Sequence, residues 1–131
     1  SLADPRQALE FEPAESAARF DHGFPAGMRS AWALASMGVL EAAGWSWVHE
    51  RAASLAASLA DQLVERGVTV GPRGRSTLVA WEADDPEAQV ARLAAAGILV
   101  RSIPAFGLVR ASVGAWSSET ELEALVREVA S

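Results

Sequence analysis

A chain of 131 residues, half of them hydrophobic, is long enough for one domain with a real core. Its formal net charge of −6 argues against a nucleic-acid surface, which needs clustered cations. There is no cysteine, which excludes a disulfide framework, a thiolate nucleophile and a cysteine-ligated metal, and all 11 basic residues are arginine, so Schiff-base chemistry on a lysine amine is excluded within these residues.

Residues 1–13 are polar, contain Pro5 and Pro13, and read as a lead-in to a single domain over 14–131. Ser1-Leu2-Ala3-Asp4-Pro5-Arg6 lacks the basic-then-apolar order of a signal peptide, and no apolar run approaches the ~20 residues of a membrane span. A cytoplasmic location without membrane or nucleic-acid partners is the expectation. Arg19 to Pro25 reads as a compact loop, its Gly23-Phe24-Pro25 turning the chain before a helix.

From Ala26 to about Ala43 the pattern is helical, with Met28, Trp32, Ala35 and Val39 at steps of three and four and Gly44 as the stop. A second helix starts near Trp45–Val48 and carries the stripe Val48, Ala52, Leu55, Leu59 and Leu63, ending at Gly67. Val68-Thr69-Val70 reads as a short strand, Gly71-Pro72-Arg73-Gly74 as a turn and Thr77–Glu82 as a second strand. Asp85-Pro86 places an N-cap and a first-turn proline ahead of a helix running to about Ala96, closed by Gly97. Ser118-Glu119-Thr120-Glu121 is a capping box, after which Leu122, Leu125, Val126 and Val129 form a last amphipathic helix.

Between the last two helices lie two short β-type runs, Gly97–Pro104 and Leu108–Gly114, each carrying one arginine among apolar neighbours. Because side chains alternate along a strand, Leu108, Arg110 and Ser112 share one face and Val109, Ala111 and Val113 the other. The second is a core face. The first presents a cation beside a hydroxyl, and apolar strands rarely carry arginine without a partner. Arg110 therefore pairs with an internal carboxylate or faces something outside the chain; with Arg101 it could clamp an anion such as a substrate carboxylate. The element order predicts an α/β (α+β two-layer) fold: a small, mostly antiparallel sheet with helices packed on one face and the other face short of cover.

Other candidate chemistry is sparse. His22 and His49 are the only histidines; His22 stands beside Gly23 in a loop, whereas His49 falls on a helix and reads as a surface or packing residue. Two distant histidines without cysteine are a poor metal signature, so no metal site is expected. Gly23 precedes a helix start, where backbone N–H groups can bind phosphate, although an ordinary turn glycine explains it equally. Asp84-Asp85 is a capping and turn signal. No Walker loop, dinucleotide fingerprint or Ser-His-Asp set is recognisable.

Taken in order, Arg19–Pro25, the helix pair around Ala43-Gly44-Trp45, Gly97-Ile98-Leu99-Val100-Arg101, and Leu108–Ser112 followed by Glu119–Leu125 resemble the C-terminal small domain of class V aminotransferases. These are fold-type I pyridoxal-phosphate enzymes that include cysteine desulfurases, selenocysteine lyases and isopenicillin-epimerase-like proteins. The resemblance covers roughly residues 14–131. It implies that Arg110, in Arg110-Ala111-Ser112, binds the substrate α-carboxylate with Ser112 beside it, and that Arg101 lies at the active-site edge. It also implies that the loop holding His22 and Gly23 reaches across a homodimer to the partner's cofactor phosphate. Phe24 stands where the family has threonine, so only a backbone contact is expected there. Residues 102–107 lack the desulfurase cysteine, which leaves lyase, epimerase or transaminase chemistry on an amino-acid substrate. The lysine that anchors pyridoxal phosphate belongs to the family's large domain, so this chain is expected to contribute substrate-binding but no catalytic residues, and to be inactive without the large domain of its parent chain. The alternative is a non-catalytic α/β module that binds a partner protein through its uncovered sheet face.

Overall fold

The computed structural model describes residues 27–131. The chain divides after Ser36, and the residues from Met37 to Ser131 form one compact unit. Helix α1 spans Gly27–Ala43. It forms where the apolar spacing predicts, but its Trp32, Ala35 and Val39 are exposed. This helix is alanine-rich and apolar on all sides, so the spacing does not single out a buried stripe.

The Met37–Ser131 unit is built on a three-stranded antiparallel sheet of β1 (Leu78–Glu82), β2 (Arg101–Ile103) and β3 (Leu108–Ser112), in the order β1-β3-β2. Helices α2 (Trp45–Glu65), α3 (Pro86–Ala95) and α4 (Glu119–Val129) pack on this sheet and on one another. Together they make the two-layer α/β arrangement expected from the element order. Val79 and Trp81 of β1 and Val109 and Ala111 of β3 point into the core. There they meet Leu59 and Leu63 of α2, Leu93 of α3, and Leu125 and Val126 of α4. Full burial of a leucine such as Leu59 stabilises the fold by about 1.5–3 kcal/mol. Trp81 is completely buried, and its indole N–H is satisfied by donation to Gln89 Oε1 at 2.8 Å.

The helix boundaries follow their capping chemistry. Asp85 accepts from the Ala88 N–H at 2.9 Å, with Pro86 in the first turn of α3. Ser118 and Glu121 form the reciprocal capping box of α4: Ser118 Oγ accepts from the Glu121 N–H at 3.2 Å, and Glu121 Oε2 accepts from the Ser118 N–H at 2.8 Å. The Ser118 N–H and, at 3.0 Å, the Ser118 hydroxyl both donate to Glu121 Oε2; these two bonds, the backbone one foremost, favour the ionised carboxylate and hold the Glu121 pKa below its ordinary value. After α3, Gly97 turns the chain at a φ of 80°, a conformation glycine adopts without steric cost.

Two strand assignments change. Val68–Val70 is not a strand; Val70 makes a single bridge to Trp81 before the chain turns at Gly71-Pro72, where proline offers no N–H to continue a ladder. The run Gly97–Pro104 contributes only Arg101–Ile103 to the sheet. Its first residues complete the helix stop, the Ile98 N–H donating to the Leu93 carbonyl at 2.9 Å.

Candidate functional site

The sheet face opposite the helices carries the residues with chemistry. It is set by the hairpin that joins β2 to β3. Pro104–Phe106 form a single 3-10 turn, and Gly107, at a φ of 65°, returns the chain. Ile103 then faces Leu108, Ser102 faces Val109, and Arg101 faces Arg110. On the other side of β3, Ala80 faces Arg110 and Leu78 faces Ser112. A one-residue slip in either pairing would turn a core residue outward, so burial of Val109 and Ala111 locks the register.

The open face therefore presents Arg101 and Arg110 side by side on neighbouring strands, with Ser112 two residues beyond Arg110 on the same strand. Like charges directly opposite across a sheet destabilise it. Nothing in the described part of the chain relieves them. Arg51, Arg75 and Arg92 lie 3.7, 3.4 and 3.7 Å from the carboxylates of Glu119, Glu50 and Glu128. Among the described residues neither Arg101 nor Arg110 has such a partner. Glu82 shares the open face, opposite Leu108, and forms no ion pair with either arginine. Arg110 Nε is buried and has no hydrogen-bond partner, a condition native structures rarely tolerate. The carboxylate alternative for Arg110 is thus not realised among the described residues.

Leu78, Ile103 and Leu108 surround the arginines and give the open face an apolar surface. A cleft of about 300 Å³ adjoins Ser112 and is also lined by Leu99, Val100, Trp116 and Leu122; neither arginine lines it. The segment after β3 is held by Arg51, whose Nε donates to the Ala115 carbonyl at 2.9 Å and whose Nη2 donates to the Ser117 carbonyl at 3.4 Å. This tie runs from α2 to a segment 64 residues later, and no local pattern in the sequence announces it.

The structure brings together Arg101, Arg110 and Ser112 of the expected site. His22 and Gly23 lie outside the described residues. His49 stacks on Trp45 with ring centroids 6.1 Å apart, both rings exposed on α2, and takes no part in the arginine face. The direct Arg101–Arg110 apposition is the feature the sequence reading missed. Its signal was present: both arginines stand two residues outside the Ile103–Leu108 pair that closes the hairpin.

No family model matches the sequence, and no curated protein matches it. Solved structures do. The apo structure of a cysteine desulfurase from Thermococcus onnurineus NA1 matches with a TM-score of 0.63 and 24% identity, over 70% of this chain and 27% of that one. A mutant of C-DES with glycine covalently linked to its PLP cofactor matches with a TM-score of 0.56 and 22% identity, over 62% of this chain and 23% of that one. The fold is shared with both. This chain spans about a quarter of the length of either solved chain. Among the described residues no helix is long and apolar enough to cross a membrane.

Proposed function

We propose that this chain is the C-terminal, substrate-binding portion of a pyridoxal-phosphate-dependent enzyme of the class V aminotransferase kind, acting on an amino acid as a lyase, epimerase or transaminase. The observation that carries this reading is Arg110: a guanidinium with a buried, unpartnered Nε, on an open sheet face, in a fold shared with a cysteine desulfurase. In this reading Arg110 receives the substrate α-carboxylate through paired N–H donation, Ser112 offers a hydroxyl beside it, and Arg101 adds a second cation at the edge. Holding the carboxylate fixes the orientation of the substrate's α-carbon. The cofactor, when bound, supplies the electron sink for bonds broken at that carbon.

The residues present fit the substrate end of such a site, not the cofactor anchor. The chain has no lysine, so the anchoring amine comes from a large domain of the same parent chain. In the same reading His22 and Gly23 approach the cofactor phosphate of the partner in a cytoplasmic homodimer, and the open face of the sheet meets the large domain. A second reading, a non-catalytic module that docks a protein partner on that face, is favoured by the exposed apolar residue Leu78 and by the absence of lysine.

Replacing Arg110 in the full-length gene product separates the two. Arg110→Ala should lower kcat/KM for the amino-acid substrate by about ten- to a hundred-fold, the worth of a charge-assisted hydrogen bond. Steady-state values near those of the unaltered enzyme would remove Arg110 from the site.

A further inference from the structure

We infer that the arginine face is built for two anionic groups at once, so that the amino acid it takes carries a second acid on its side chain. This rests on the reading of Arg110 as the α-carboxylate site and extends it to substrate class. The carrying observation is the register: Arg101 and Arg110 are direct cross-strand partners on the open face.

A guanidinium presents five N–H donors, and a carboxylate has two oxygens, enough to satisfy one guanidinium edge in a bidentate pair. A substrate with one carboxylate placed on Arg110 leaves the exposed donors of Arg101 to water. It also neutralises one of two adjacent cations, so Arg101 still stands beside a pair whose charge is already spent. Glu82, the other charged side chain on the face, is displaced by one pair along the sheet and joins neither arginine. A second anionic group on the same ligand meets both deficits. It places a negative charge against Arg101, the cation of the pair that a single carboxylate on Arg110 leaves unneutralised. The apolar neighbours Ile103 and Leu108 sharpen the effect, because charge pairing strengthens as water is excluded.

Isosteric ligand pairs that differ by one charge test this. Calorimetric titration of the full-length gene product would compare L-aspartate with L-asparagine, and L-glutamate with L-glutamine, in the unaltered protein and in the Arg101→Gln and Arg110→Ala variants. At least one acidic member should bind about tenfold or more tightly than its amide. Arg101→Gln should erase that preference, bringing the ratio of acid to amide affinity to within about twofold of one. Arg101 is exposed on an edge strand, so its substitution leaves the core intact. Equal binding of acid and amide in both pairs, still lost in Arg110→Ala, would overturn the second-anion inference and leave the carboxylate reading standing. Binding that is indifferent to Arg110→Ala, or no binding of any of the four amino acids, would overturn both. Each acid and its amide meet the same cofactor, so its contribution is common to both and the comparison isolates the side-chain charge.

Discussion

Arg110 should cost the fold stability, and its replacement by leucine should show how much. The Nε is buried without a hydrogen-bond partner, and leaving a buried donor unmade costs about 1–3 kcal/mol. The facing Arg101 adds a like-charge term of about 0.2–1 kcal/mol. Arg110 is only partly buried as a residue, which places the donor term at the low end of its range. Leucine keeps the apolar stem against Leu108 and Ala80 and removes both penalties. Arg110→Leu should therefore stabilise the chain by about 1 kcal/mol. With a urea slope of about 1–3 kcal/mol per molar, the unfolding midpoint rises by roughly 0.3–1 M at unchanged slope. Equilibrium urea unfolding followed by tryptophan fluorescence measures this directly, since Trp81 sits in the core. A companion change, Arg101→Ala, should stabilise the parent slightly and the Arg110→Leu background not at all, because the repulsion is then already gone. A midpoint that falls on Arg110→Leu would refute the reasoning: it would mean that the guanidinium has a partner in the free chain and is not held in reserve for a ligand.

Leu59→Ala empties a fully buried site between α2 and the sheet and should cost about 2–5 kcal/mol in the same assay; a loss under about 1 kcal/mol would place α2 outside the core. The capping box gives a pH dependence whose sign follows from the lowered Glu121 pKa. The unfolded carboxyl binds its proton first as pH falls, so the stabilisation by ionised Glu121 is complete above the ordinary glutamate pKa of about 4.3 and fades as pH drops through the lower folded value. Unfolding curves of the unaltered chain and Glu121→Gln should differ at neutral pH and converge under acid; a constant difference across that window would exclude the carboxylate as the source.

The local chemistry of the fold was readable because it is local. Alternation through Leu108–Val113 separates the core face from the arginine face, and the burial of Val109, Ala111 and Val113 matches it. The caps at Asp85 and Ser118 work through contacts three residues away, within reach of a pattern. What failed depended on distant partners. Val68–Val70 has strand composition, but only Val70 finds a bridge. The apolar positions of α1 have helical spacing, but with apolar residues on all sides they specify no face. The Arg51 grip on Ala115 and Ser117 joins elements far apart in the chain and has no signature near either end. The arginine face was half legible: the residues and their outward direction followed from alternation, whereas the pairing of Arg101 with Arg110 required the hairpin register.

The central claim is that this chain completes a pyridoxal-phosphate enzyme whose cofactor is anchored elsewhere. The visible absorption spectrum of the full-length gene product, before and after borohydride, tests it most directly. The account predicts a yellow protein whose band disappears on reduction, with the cofactor then found fixed to a lysine outside these 131 residues. A colourless product that takes up no pyridoxal phosphate on incubation would contradict it, and would leave a binding module built on the same fold.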